Sequence, residues 1–166
     1  MTTSAGRMRQ LVDWSAALWA GFIAGVVFLA LNMVLMTQVV GGNVWVIIRY
    51  FASLVMGEGV LAPPATFDPL ITIVALVVHF VLSIIFGLIL AIIIHRWGLL
   101  IGIVLGAVFG LALYSINIYA LTRFFPWFFV MNHWTFVVAH IIFGAVAGGV
   151  YEGLEVERFV PAENAA

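Results

Sequence analysis

The chain contains no cysteine and no lysine. Without cysteine there are no disulfides, no thiolate metal sites and no cysteine nucleophile, and the absence carries no information on redox compartment. Charge of either sign is scarce, at 8% of 166 residues with a net charge of −1. The basic footprint that nucleic acid requires is therefore missing, and no nucleic-acid partner is expected. So little polar material cannot cover a soluble domain of this length. Every acidic residue lies at the edge of an apolar run or outside one. No buried carboxylate pair, phosphate-binding loop or nucleophile–base–orienter set is visible, so the chain reads as non-catalytic.

What is present is apolar: 66% of the residues are hydrophobic. No charge falls between Asp13 and Arg49, Asp68 and Arg96, Arg96 and Arg123, or Arg123 and Glu152. Each gap is long enough for a bilayer core of about 30 Å, which takes roughly 20 helical residues. The expected fold is an all-α membrane four-helix bundle. It forms a single transmembrane domain over 1–166, with helices near 14–39, 70–94, 98–122 and 127–151 and an outer loop over 40–69. The first apolar run is too long for a signal peptide and ends in no cleavage site, so the first helix is expected to be retained. Arg7, Arg9, Arg96 and Arg158 fall on one side and Arg49 and Arg123 on the other. That asymmetry places both termini in the cytoplasm. Trp14 and Trp97 suit one interface and Trp45, Trp127 and Trp134 the other, as an aromatic belt requires. Trp19 lies deeper and reads as packing.

Glycine is spaced rather than scattered. Gly98, Gly102, Gly106 and Gly110 recur every fourth residue in a charge-free run. On a helix they share one face, a flat groove on which another helix can lie closely. Gly21 and Gly25 in the first helix and Gly144 and Gly148 in the fourth repeat the pattern. The 43–56 stretch, apolar around Arg49, predicts an interfacial helix, and the glycines and prolines of 57–64 end it. Asp68 and Pro69 form a capped start for the second helix. Pro126 predicts the start of the fourth.

The halves resemble each other. Adding 81 carries Gly21, Gly25 and Phe28 onto Gly102, Gly106 and Phe109. Adding 57 carries Ile84, Ile85, Phe86 and Gly87 onto Ile141, Ile142, Phe143 and Gly144, and Pro69 onto Pro126. The pattern predicts two tandem parallel hairpins. In that arrangement the first and third helices pack glycine face to glycine face at the centre, flanked by the second and fourth.

These features lie together with the loop Pro63-Pro64-Ala65-Thr66-Phe67-Asp68, the helix bearing His79, the run Phe125-Pro126-Trp127-Phe128, and His140-Ile141-Ile142-Phe143-Gly144. In combination they resemble a small four-span bacterial inner-membrane family of unknown function. Its members are often labelled "sodium:proline symporter", although symporters of that kind have many more spans. The resemblance covers nearly the whole chain. It implies four spans and the bacterial inner (cytoplasmic) membrane, and it transfers no catalytic residue.

Polar groups inside the spans are where function would show. They are Asn32, His79, Ser83, Tyr114, Ser115, Asn117 and His140. His79 lies about 15 Å down the second helix and His140 about 21 Å down the fourth, at 1.5 Å per residue. A polar cluster of Asn32, Ser83, Tyr114 and Asn117 is therefore expected. His79 and His140 are candidate haem b ligands, with hydrogen bonding to neighbouring helices as the plainer reading. No cofactor and no metal site is otherwise indicated. The spare glycine faces point to an accessory subunit of a larger membrane assembly, such as a respiratory complex, partnered by other subunits or by copies of itself. A transporter or channel formed by oligomerisation and a bis-histidine redox subunit are the alternatives.

Overall fold

The computed structural model describes residues 8–161. Arg7, one of the orienting arginines, lies outside them. The chain runs β1 (Met8–Leu11), α1 (Trp14–Leu35), a π-helical turn (Met36–Val40), α2 (Val44–Met56), a 3-10 turn (Glu58–Leu61) and α3 (Pro69–Ile94). It continues with α4 (Leu99–Ser115), a second π turn (Ile116–Ala120), short 3-10 segments (Leu121–Arg123 and Pro126–Met131), α5 (Trp134–Leu154) and β2 (Arg158–Pro161). Among the described residues four helices are long and apolar enough to cross a membrane: Trp14–Val40, Pro69–Ile94, Leu99–Arg123 and Trp134–Leu154.

The starts follow from capping chemistry. The Asp13 carboxylate accepts from the Ser15 and Ala16 amides. The Asp68 carboxylate accepts from Ile71, with Pro69 in the first turn. The fourth span departs from expectation. Pro126 opens a 3-10 turn, not the helix, and α5 begins at Trp134 behind an imidazole cap, His133 accepting from the Thr135 amide. A proline suits the first position of either element, so it could not tell them apart.

Gly98 is likewise corrected. It precedes α4 with φ 78°, and a β-carbon there would meet nothing within 4 Å. It makes the tight α3–α4 turn and plays no part in packing. The remaining glycines do pack, though not with the expected partners. Gly21 lies on the Ser83 and Ile84 backbone, and Gly87 on the Gly21 backbone, joining α1 to α3. Gly106 abuts Gly144, Gly110 abuts the His140 carbonyl, and Gly148 abuts the Gly102 carbonyl, joining α4 to α5. Backbones approach this closely only where at least one side lacks a β-carbon at the contact.

The centre is therefore not α1 against α4. The α1 helix packs on α3 and α5, and α4 packs mainly on α5. A small-residue seam, including Ala16, Ala20, Ala24, Ala139 and Ala147, fills the core beside Phe28, Leu90 and Phe143. Consecutive α3 and α4 touch far less than the other neighbouring spans. Trp19 is 55% exposed and faces outward, against expectation.

Two features had no sequence forecast. At one end β1 pairs antiparallel with β2, Arg9 opposite Val160 and Gln10 opposite Phe159. The Val156 amide donates to Asp13, and the Tyr151 hydroxyl donates to Glu155 at 3.0 Å, tying this ribbon to α1 and α5. At the other end α2 is drawn into the bundle, not laid beside it. Ile48 and Ala52 pack on Ala75 of α3, and only Val55 and Met56 of α2 are exposed. Trp127 donates to the Ser53 hydroxyl at 3.0 Å, and Tyr50 meets the Phe128 ring at 5.4 Å. The Arg49 guanidinium holds the returning loop by donating to the Val60 carbonyl at 2.6 Å and the Thr66 carbonyl at 3.2 Å.

Candidate functional site

The weak contact between α3 and α4 leaves a cavity of about 540 Å³. Phe28, Phe51, Phe86, Phe136 and Phe143 form much of its wall, and α2 with Phe125 and Phe128 lines the end away from the ribbon. Val77 and Val81 on α3 line it while 58% and 50% exposed, so it opens sideways between two spans. Its size and apolar character are those of a small-molecule pocket. Five polar side chains reach its lining: Tyr50, His79, Ser83, Asn117 and His140.

His79 is buried, and its Nε2 lies 2.9 Å from the Gly25 carbonyl oxygen. Gly25 permits that approach, because a β-carbon there would sit 2.8 Å from the Ser83 side chain. A carbonyl only accepts, so Nε2 carries the proton and Nδ1 of the neutral ring is a bare acceptor. His140 has the opposite tautomer. Its Nδ1 donates to the Phe136 carbonyl at 2.7 Å, and Asn117 donates through Nδ2 to Nε2 at 3.2 Å. The reversed Asn117 amide would set two acceptors face to face, which fixes its orientation.

Local geometry explains the pairing. Gly110 lets α4 rest on the backbone of α5 at His140. Asn117 lies two turns further on, in the π-helical segment. Such turns displace side chains from regular helical positions and are common at functional sites.

Of the expected polar cluster, Ser83 and Asn117 join the two histidines, while Asn32 and Tyr114 do not. Asn32 turns back to donate to its own helix at the Phe28 carbonyl, 2.8 Å away. Tyr114 donates to Asn132 at 2.8 Å, although its ring touches that of His140 at 5.6 Å. Ser115 caps the Leu111 carbonyl of its own helix at 3.0 Å. The cavity's aromatic wall and the place of α2 in its lining were missed by sequence reasoning. Only the density of phenylalanine in 124–129 hinted at them.

A haem held between His79 and His140 needs an open slot and a free nitrogen on each ring. Phe28 contacts both imidazoles, at ring-centre distances of 5.9 and 4.8 Å, and both nitrogens of His140 are engaged. The residues as arranged do not fit a bis-histidine haem. Among the described residues no group of three or more His, Cys, Asp or Glu side chains converges as a metal site. What the arrangement can do is bind: an apolar chamber with a few fixed polar atoms, open in the plane of the spans. Comparisons with known protein families, with curated proteins and with solved structures found no match to this chain.

Proposed function

We propose that this is a non-catalytic, multi-pass protein of the bacterial inner membrane, with both termini cytoplasmic. It serves as an accessory subunit that holds a membrane-soluble molecule for a larger assembly and does not react it. The observation that carries this reading is the sideways-opening apolar cleft with His79, Ser83, Asn117 and His140 in its lining. A nucleophile with its own base is missing from that set, and the His140–Asn117 pair is spent on mutual hydrogen bonding. The arrangement is one for positioning a ligand.

The same geometry weighs against a channel through one copy. The lining of the cleft reaches Phe86 on α3 and holds no described residue of the ribbon end. Asn32, expected to line a path, is satisfied within its own helix. The glycine faces, which pointed to partner helices, are largely consumed inside the chain by α1–α3 and α4–α5 contacts. Support for partners now rests on the cleft, whose contents must be delivered or used by something else.

The tandem repeat belongs to this proposal and explains the cleft. Gly21 against Gly87 and Gly25 against Ser83 correspond to Gly106 against Gly144 and Gly110 against His140. The shift of 57 is kept for the second member of each pair, and the first shifts by 85, one turn more than the 81 read from sequence. In a twofold arrangement of hairpins the α1–α5 seam and the α3–α4 seam are equivalent. The first is closed and the second is open, and α2, present only in the first half, sits at the mouth of the open one.

Native mass spectrometry of protein extracted gently from its own membrane tests the subunit role. Other chains at fixed ratio are expected. A lone monomer or bare homo-oligomer would sink the accessory reading and favour transport by self-assembly.

A further inference from the structure

The cleft has a chemical preference written into its polar atoms. His79 is 3% exposed, and its Nδ1 has no hydrogen-bond partner among the described residues. The ring lines the cavity, so the unanswered acceptor belongs to the wall of the cleft. An acceptor in an apolar chamber is stable only if something donates to it. Asn117 adds to the bias. Its amide group is turned to His140, which leaves its carbonyl oxygen without a protein partner.

We propose that the cleft binds a membrane-soluble molecule whose head carries a free hydroxyl, donated to His79 Nδ1, and whose apolar tail leaves between α3 and α4, past Val77 and Val81. A hydroquinone and a long-chain alcohol share that chemistry. A transmembrane helix from a partner does not fit. It needs a groove about 10–12 Å wide running the depth of the bilayer, and this cleft is a chamber of only about 540 Å³. A bare hydrocarbon chain would fill the space but leave the acceptor unanswered. This inference rests on the reading of the cleft as a ligand site.

The test uses the full chain in lipid nanodiscs and a long-chain alcohol carrying a diazirine at its tail. Photolabelling is expected to concentrate on Val77 and Val81. A tenfold excess of unlabelled alcohol should suppress it, and the corresponding methyl ether, which cannot donate, should not. Stronger suppression by a short-chain ubiquinol than by its oxidised quinone would name a hydroquinone as the occupant; suppression by the alcohol alone would name a lipid alcohol. The His79→Phe variant keeps an aromatic ring and should lose about tenfold in labelling. The ether comparison needs no variant, so a folding defect in that protein cannot hide the answer. Equal competition by alcohol and ether would overturn the hydroxyl preference while leaving an accessible cleft. Labelling spread evenly over all lipid-facing helices would overturn the cleft reading itself.

Discussion

Gly106 and Gly59 are the same residue under opposite constraints. A β-carbon on Gly106 would collide with the Gly144 carbonyl, whereas one on Gly59 would meet nothing within 4 Å. Neither has the positive φ that glycine alone tolerates well. Gly106→Ala and Gly144→Ala should each destabilise the fold by about 1–3 kcal/mol through overpacking. Gly59→Ala should be nearly neutral, and denaturant titration in detergent would rank the three. Gly98→Ala is destabilising for another reason, since φ 78° costs a side chain about 1–2 kcal/mol. Asp13 offers a pH test. Its carboxylate is held below the ordinary 3.8, first by the Ala16 amide and then by those of Val156 and Ser15 and by Arg158, against a partial desolvation. A depressed carboxylate stabilises the fold above its unfolded value and loses that contribution as pH falls through the folded one. Asp13→Asn can still cap α1, so its unfolding temperature should match the parent's near neutrality less closely than below the depressed folded value of Asp13, itself under 3.8, where the carboxyl is protonated in both states. A constant gap between the two proteins at all pH values would refute this.

At the scale of elements, the four spans were legible because charge-free runs of that length have one stable solution in lipid. Their partners were not. A glycine face says that a backbone lies close and does not say whose, so α4 meeting α5 had to come from the structure. The Pro126 turn, the π segments and the pull of α2 into the bundle depend on tertiary contacts that leave no periodic trace. His79 and His140 were recognisable as candidates, yet their tautomers follow from the Gly25 and Phe136 carbonyls, and no spacing linked Gly25 or Asn117 to them. Asn32 and Tyr114 looked equivalent to Asn117 as polar groups within the spans and proved to have other partners, the Phe28 carbonyl and Asn132. The α2 helix is the element most open to test. Arg49 holds the loop through two carbonyls, and hydrogen bonds to a charged group contribute about 1.5–3 kcal/mol each. Arg49→Leu should release residues 57–66, raising amide exchange there by at least tenfold and leaving α4 and α5 protected. Unchanged protection across that loop would show that α2 is held by packing alone.

The whole molecule is two close-packed pairs, α1 with α3 and α4 with α5, joined along one seam and open along the other. The proposed binding role depends on lipid reaching into that open seam. Leu113 and Leu90 separate the possibilities: both are buried, at 6% and 0% exposure, but only Leu113 lines the cleft. The decisive measurement is methyl NMR of leucine-labelled protein in nanodiscs containing a lipid with a nitroxide on its acyl chain. The account predicts strong broadening of the Leu113 methyls with those of Leu90 left sharp. Equal protection of the two would mean that the seam is closed in the membrane, and would contradict a lateral binding cleft.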